Sequence, residues 1–105
     1  EVLEHLPEDY IPGLLANIKS LLAPVGVFVA SIAVTSDPHP ETGVELHVTR
    51  HPREWWEEKV RAAGLRPCDS PLQFDEHARG SGNPRALDWN AAKQPEVGFH
   101  FAIRH

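Results

Sequence analysis

Three features of the sequence predict an α/β fold. Residues 9–22 repeat apolar side chains at helical spacing. Residues 27–34 (VFVASIAV) are apolar on both alternating faces. Residues 97–103 alternate about one strongly apolar face. A helix that leads into a strand buried on both sides is half of a βαβ unit, the usual builder of a parallel sheet.

In order along the chain, the first helix presents Ile11, Leu14, Leu15, Ile18, Leu21 and Leu22 on one face. Asp9 is its expected N-cap, and Pro12 falls in the first turn, whose amide protons lack partners in any case. Pro24 and Gly26 end it ahead of the strand at 27–34. Residues 36–43 (SDPHPETG) form a polar, proline-rich loop. A second helix is expected over residues 52–63, with Pro52 in its first turn and Gly64 as its stop. Trp56, Val60 and Ala63 make its buried stripe, while Arg53, Glu57 and Arg61 face water and Glu57 can pair with Arg61. Residues 65–74 read as a short strand that Pro67 and Pro71 place at a sheet edge. Residues 77–95 are a long polar connection. The strand at 97–103 closes the chain.

The 105 residues make one domain, 41% hydrophobic and 24% charged. The net charge of −5 and the absence of any basic cluster argue against a non-specific nucleic-acid groove or an anionic-membrane patch. The longest apolar stretch, residues 21–34, is interrupted by Pro24 and too short to span a bilayer, and no stretch has the pattern of a signal peptide. The one cysteine, Cys68, builds no disulfide framework and suits a reducing cytoplasm. Methionine is absent and the sequence opens inside an element, so the 105 residues are expected to belong to a longer protein.

The opening Glu1-Val2-Leu3-Glu4-His5-Leu6-Pro7 resembles the segment E-V-L-E-H-L/I-P that follows the fourth strand of class I S-adenosylmethionine-dependent methyltransferases. Residues 21–32 (LLAPVGVFVASI) resemble the family's L-x-P-G-G segment leading through the fifth strand, with Val25 where the first glycine is usual. Residues 47–65, ending in A-A-G-L, resemble its H…W…A-G-F helix, and the alternating C-terminus matches its antiparallel last strand. The match covers nearly the whole chain. It implies the C-terminal part of a doubly wound, Rossmann-like sheet with the last strand antiparallel. Family members cradle the donor mainly through a first-strand G-x-G loop that would precede Glu1. Gly80-Ser81-Gly82 spells G-x-G, but with no buried strand before it and no helix after it these read as turn glycines. The resemblance thus implies S-adenosylmethionine-dependent methyl transfer by the complete protein, with little or no activity from these residues alone.

Within that resemblance, Glu1, Val2 and Leu3 occupy positions that touch the donor, or else Val2 and Leu3 simply pack in the core. Glu1, Glu4 and His5 fall on one side of a helical turn. With His47 they are similar to the metal site of small-RNA terminal 2′-O-methyltransferases, and a related cluster occurs in ubiquinone-pathway O-methyltransferases. Such a set can hold Mg²⁺ or Zn²⁺, which would grip the hydroxyls of an RNA 3′ end or a catechol-like acceptor. Relatives without a metal carry the same E-H, where the histidine hydrogen-bonds or lines the acceptor pocket. His5 and His47 are the candidate catalytic residues, His47 as base or acceptor-orienting group, or else as a polar cap of the following helix. His47 and His51 show H-x-x-x-H spacing, but Pro52 interrupts the turn and no cysteine stands nearby. His39, His77, His100 and His105 read as solvated. One of Trp55 and Trp56 is expected in the core and the other partly exposed. Arg79, Arg85 and Trp89 lie in the long connection, where acceptor specificity can reside, and Cys68 is expected to be inert. A competing reading is a binding or regulatory module that keeps this half-fold without catalysis. The strand at 27–34 is expected to expose an open edge, giving marginal stability, a dimer through that edge, or association within a larger assembly.

Overall fold

The last strand of the chain lies in the middle of its sheet. This is seen in a computed structural model that describes residues 2–72 and 93–105. Two 3₁₀ turns, Leu3–His5 and Glu8–Tyr10, lead into helix α1 (Ile11–Leu21), strand β1 (Val27–Ala33), helix α2 (Arg53–Ala62), strand β2 (Arg66–Cys68) and strand β3 (Gly98–Arg104). The sheet order is β1-β3-β2. β3 runs antiparallel to both neighbours, with Val27 opposite Arg104, Ala33 opposite Gly98, and Arg66 to Cys68 opposite Arg104 to Ala102.

That central place explains the alternating pattern. Phe99, Phe101 and Ile103 share a face with their β1 partners Ile32, Ala30 and Phe28. They form one core with Ile11 and Leu15 of α1 and Trp56 and Val60 of α2. Gly98 and Ala102, on the opposite face of β3, are also buried.

The helices begin and end close to the expected positions, with two local differences. Asp9 does not cap α1. It sits in the 3₁₀ turn before the helix, and no side chain caps the first turn, which Pro12 enters. Leu21 is 85% exposed rather than on the buried face. At 100° per residue Ile11, Leu15, Ile18 and Leu22 lie within one narrow stripe, and Leu21 falls beside it. α2 carries the expected i,i+4 pair, Arg61 Nη2 to Glu57 Oε2 at 3.2 Å.

Gly64 ends α2 as expected, in a left-handed conformation (φ 76°). Its N–H donates to Arg61 O (3.0 Å) and the Leu65 N–H to Val60 O (3.1 Å), the paired bonds of a Schellman motif. Gly64→Ala must place a Cβ in that left-handed region, and it is expected to lower stability by about 1–2 kcal/mol. Urea unfolding measures the loss, and an unchanged midpoint would contradict this account of the helix stop.

Two strand expectations need correction. Residues 27–34 suggested a strand buried between layers of a parallel sheet. Among the described residues β1 instead pairs only with the antiparallel β3, and Val27 to Ser31 are half-buried, with only Ile32 and Ala33 fully covered. The strand carries more apolar surface than an edge position hides. The strand expected at 65–74 shrinks to Arg66–Cys68, because the chain bends at Pro71 and Leu72, where the Ser70 hydroxyl accepts from the Leu72 N–H. Pro67 and Pro71 remove the donors a longer strand would need. Residues 73 and 74, the Gly80-Ser81-Gly82 motif, and Arg79, Arg85, Trp89 and His77 lie outside the described residues. No helix among the described residues is long and apolar enough to cross a membrane.

Candidate functional site

The 3₁₀ turn Leu3–His5 lies against the carboxyl end of β1. Leu3 anchors it in the core. The next side chain, Glu4, is fully buried, and its Oε1 accepts the Ala33 N–H at 3.1 Å. Its other oxygen, Oε2, has no hydrogen-bond partner. From the other side, the Thr49 N–H donates to Glu4 O (3.0 Å) and Thr49 Oγ1 to Leu6 O (2.6 Å). The turn is thereby strapped between the end of β1 and the segment that precedes α2. His5, one position on, is exposed.

The loop after β1 folds back on itself. Pro38 bridges Glu45, the His39 N–H donates to Val44 O (2.7 Å), and the Leu46 N–H donates to Asp37 O (2.9 Å). Gly43 makes the reversal with φ 69°. The Glu45 carboxylate gathers the loop. It accepts the backbone N–H groups of Asp37 (2.7 Å) and His47 (3.1 Å) and the Ser36 hydroxyl. The Asp37 N–H above all, and then the Ser36 hydroxyl, hold this carboxyl down to about 2.

His47 returns at the end of the loop, 93% buried. Its Nδ1 lies 2.6 Å from Thr35 O. A carbonyl can only accept, so Nδ1 carries a proton, and in the neutral ring Nε2 has the lone pair. The His5 ring meets the His47 ring edge-on, with centroids 4.7 Å apart. One donor atom each from Glu4, His5 and His47 lies within 4.8 Å of the others.

Of the expected ligands, the structure therefore brings Glu4, His5 and His47 together from a turn and a loop more than forty residues apart in sequence. Glu1 lies outside the described residues. Val2 is 66% exposed, while Leu3 belongs to the core, and both line an apolar cavity of about 430 Å³ with Leu6, Leu14 and residues 28–31 of β1. Among the described residues that lining has Ser31 as its polar residue and no carboxylate or amide side chain. It does not fit the ribose and purine of S-adenosylmethionine.

His51 is not a partner of His47. It pairs with Glu8 (2.8 Å) and stacks on Trp55, with ring centroids 4.1 Å apart. Trp56 is buried and Trp55 half-buried, as expected. The other histidines are more engaged than their polar settings suggested. His39 Nδ1 accepts from the N–H groups of Glu41 and Thr42, His105 Nε2 meets Leu22 O at 3.0 Å, and His100 is half-buried in β3. Cys68 is free and half-buried in β2.

The sequence reading missed Asp37 and Glu45. Asp37 Oδ2 lies 3.7 Å from His47 Nε2. The available signal was the i, i+2 spacing of Glu45 and His47, which lets one carboxylate reach the backbone of its neighbour. A second cavity, of about 510 Å³, opens where β1 ends and α2 begins, among Arg50, His51, Arg53, Glu54 and Phe99. Arg53 is fixed there by Nη2, which donates to His100 O at 2.6 Å, and by its position over the Phe99 ring.

No family model matches the chain, and no curated protein or solved structure matches it.

Proposed function

We propose that these residues form the acceptor-side part of an S-adenosylmethionine-dependent methyltransferase domain within a longer protein. The observation that carries this reading is the place of the polar cluster. Glu4, His5 and His47 meet at the carboxyl end of β1, and in doubly wound sheets ligands bind beyond the carboxyl ends of the strands. The antiparallel last strand, set between its two neighbours, also supports the resemblance. In this reading the main hold on the donor comes from outside the described residues, and the open edge of β1 is where a further strand or a second copy associates.

The donor supplies an already activated methyl group. What the chain itself contributes is acceptor handling: His47, with Nδ1 anchored on Thr35 O, presents the Nε2 lone pair to take a proton from an acceptor hydroxyl or amine. The exposed His5 ring stands beside it to orient the acceptor.

A second reading is favoured by the unpartnered Glu4 Oε2. A carboxyl oxygen shut away from water without a partner is costly unless a cation completes it. Glu4, His5 and His47 would then hold a divalent ion, and two imidazoles suit Zn²⁺ better than Mg²⁺. Such an ion would acidify a bound hydroxyl, the chemistry that a 3′-terminal ribose or a catechol-like acceptor needs.

Calorimetric titration with S-adenosylmethionine or its demethylated product tests the main reading. The complete protein is expected to bind one of them, and residues 1–105 alone to bind weakly or not at all. A folded complete protein that binds neither would leave the non-catalytic module. Turnover that survives both chelation and His5→Ala would retire the metal-dependent reading.

A further inference from the structure

The cavity of about 510 Å³ between the end of β1 and the start of α2 has no part in the functions proposed above. Its walls combine the apolar surfaces of Val34, Pro52, Pro95 and Phe99 with the side chains of Arg50 and Arg53. Mostly apolar walls with a few placed polar groups, in a volume of this order, are the make-up of a small-molecule site. We infer that the cavity binds a small organic anion, with Arg50 and Arg53 taking its carboxylate or phosphate group and Phe99 and the two prolines its apolar body.

Arg53 is ordered by the fold itself. Its Nη2 donates to His100 O at 2.6 Å, and its guanidinium lies over the Phe99 ring, 4.9 Å from the centroid. That bond uses one of the five N–H donors of the guanidinium. The Glu57 carboxylate, 3.8 Å from Nη1, is beyond hydrogen-bond range. Donors therefore remain for an oxyanion, and a fork already held in place loses little freedom on binding one. Arg50 is exposed and makes no hydrogen bond or ion pair among the described residues, so its charge is available at the cavity. The other ionisable groups of the lining do not cancel the pair. His51 is engaged with Glu8 at 2.8 Å. Glu54 is the one acid among the described lining residues, which leaves two guanidinium charges against one carboxylate. The anion site stands apart from any methyl transfer. Only the further step, that its occupant is the methyl acceptor and that this acceptor is an organic acid or a phosphate ester, rests on the methyltransferase reading.

Proton–nitrogen NMR titration of the 105-residue chain at low ionic strength tests the site, with benzoate, phenyl phosphate and uncharged benzyl alcohol as probes. Benzoate or phenyl phosphate is expected to give saturable shifts at the amides of residues 50–54 and at the Arg53 Nε–H, and the tighter of the two names the acid group. Benzyl alcohol should leave those signals in place. Arg50→Gln, at an exposed residue without a bond to lose, is expected to keep the melting temperature and weaken the anion about tenfold. Arg53→Lys keeps the charge but not the fork and should weaken it as well. Glu54→Gln removes the opposing charge and should tighten binding. Arg104→Gln controls for net charge, since Arg104 pairs with Val27 at the amino end of β1, the end of the sheet away from the cavity. Three results would overturn the site: no saturable shift with either anion in the folded chain, binding that Arg50→Gln leaves as tight, or an equal loss from Arg104→Gln. None of them touches the titration with the methyl donor, so the methyltransferase reading is judged separately.

Discussion

Trp56→Ala is expected to cost about 3–5 kcal/mol of unfolding free energy, out of a total of roughly 5–15 kcal/mol for a domain of this size. The indole is 1% exposed and sits among the residues where α1, α2 and the Phe99–Phe101–Ile103 face of β3 meet. Its truncation opens a cavity in the core that both helices share with the sheet. Trp56 also carries a liability, since its Nε1–H is buried without a partner. Trp56→Phe deletes that orphan donor while filling most of the space, so it is expected to cost only about 1–2 kcal/mol, the lost packing being partly offset by the removed desolvation penalty. Urea unfolding of the two variants gives the comparison. A phenylalanine variant as unstable as the alanine one would mean that the orphaned N–H carries no penalty.

The helices were legible because their signals are local. Ile11, Leu15 and Ile18 repeat within a few residues, and Gly64 has only one conformational reason to stand where it does. The alternation of Phe99, Phe101 and Ile103 likewise reports a strand with a core face. What no local pattern carried was pairing. The apolar run at 27–34 gave a strand, but its edge position depends on which neighbour it meets, and β3 arrives from seventy residues further along. At the site, Glu4 and His5 were found through a motif, and His47 through its place in the same resemblance. No local pattern marks Asp37, because its loop reads as generic turn chemistry. Only the bonds from Asp37 and His47 to Glu45, which join residues eight and two apart, make that loop a specific scaffold.

Glu4→Gln should separate stability from ion binding. Glutamine keeps the acceptor for the Ala33 N–H and the shape of the side chain, and it removes a carboxyl group that has an unpartnered oxygen and no contact with water. The metal-free variant is therefore expected to melt no lower than the wild type, because groups retained at a site for a ligand commonly cost stability when the ligand is absent. Added Zn²⁺ should reverse the order. An ion at 100 times its dissociation constant stabilises the folded protein by about 2.7 kcal/mol, which in a domain of this size raises the melting temperature by roughly 10 °C or more. Glu4→Gln, having lost the buried ligand, should show almost none of that rise. Glu4→Ala would lose the rise as well but melt lower without metal, since it strands the Ala33 N–H at the end of β1. Scanning calorimetry with and without Zn²⁺ reads all three proteins. A glutamine variant that melts well below the metal-free wild type would make Glu4 a residue kept for the fold, one whose carboxylate holds the Ala33 N–H better than an amide does, and not one held at a cost for an ion.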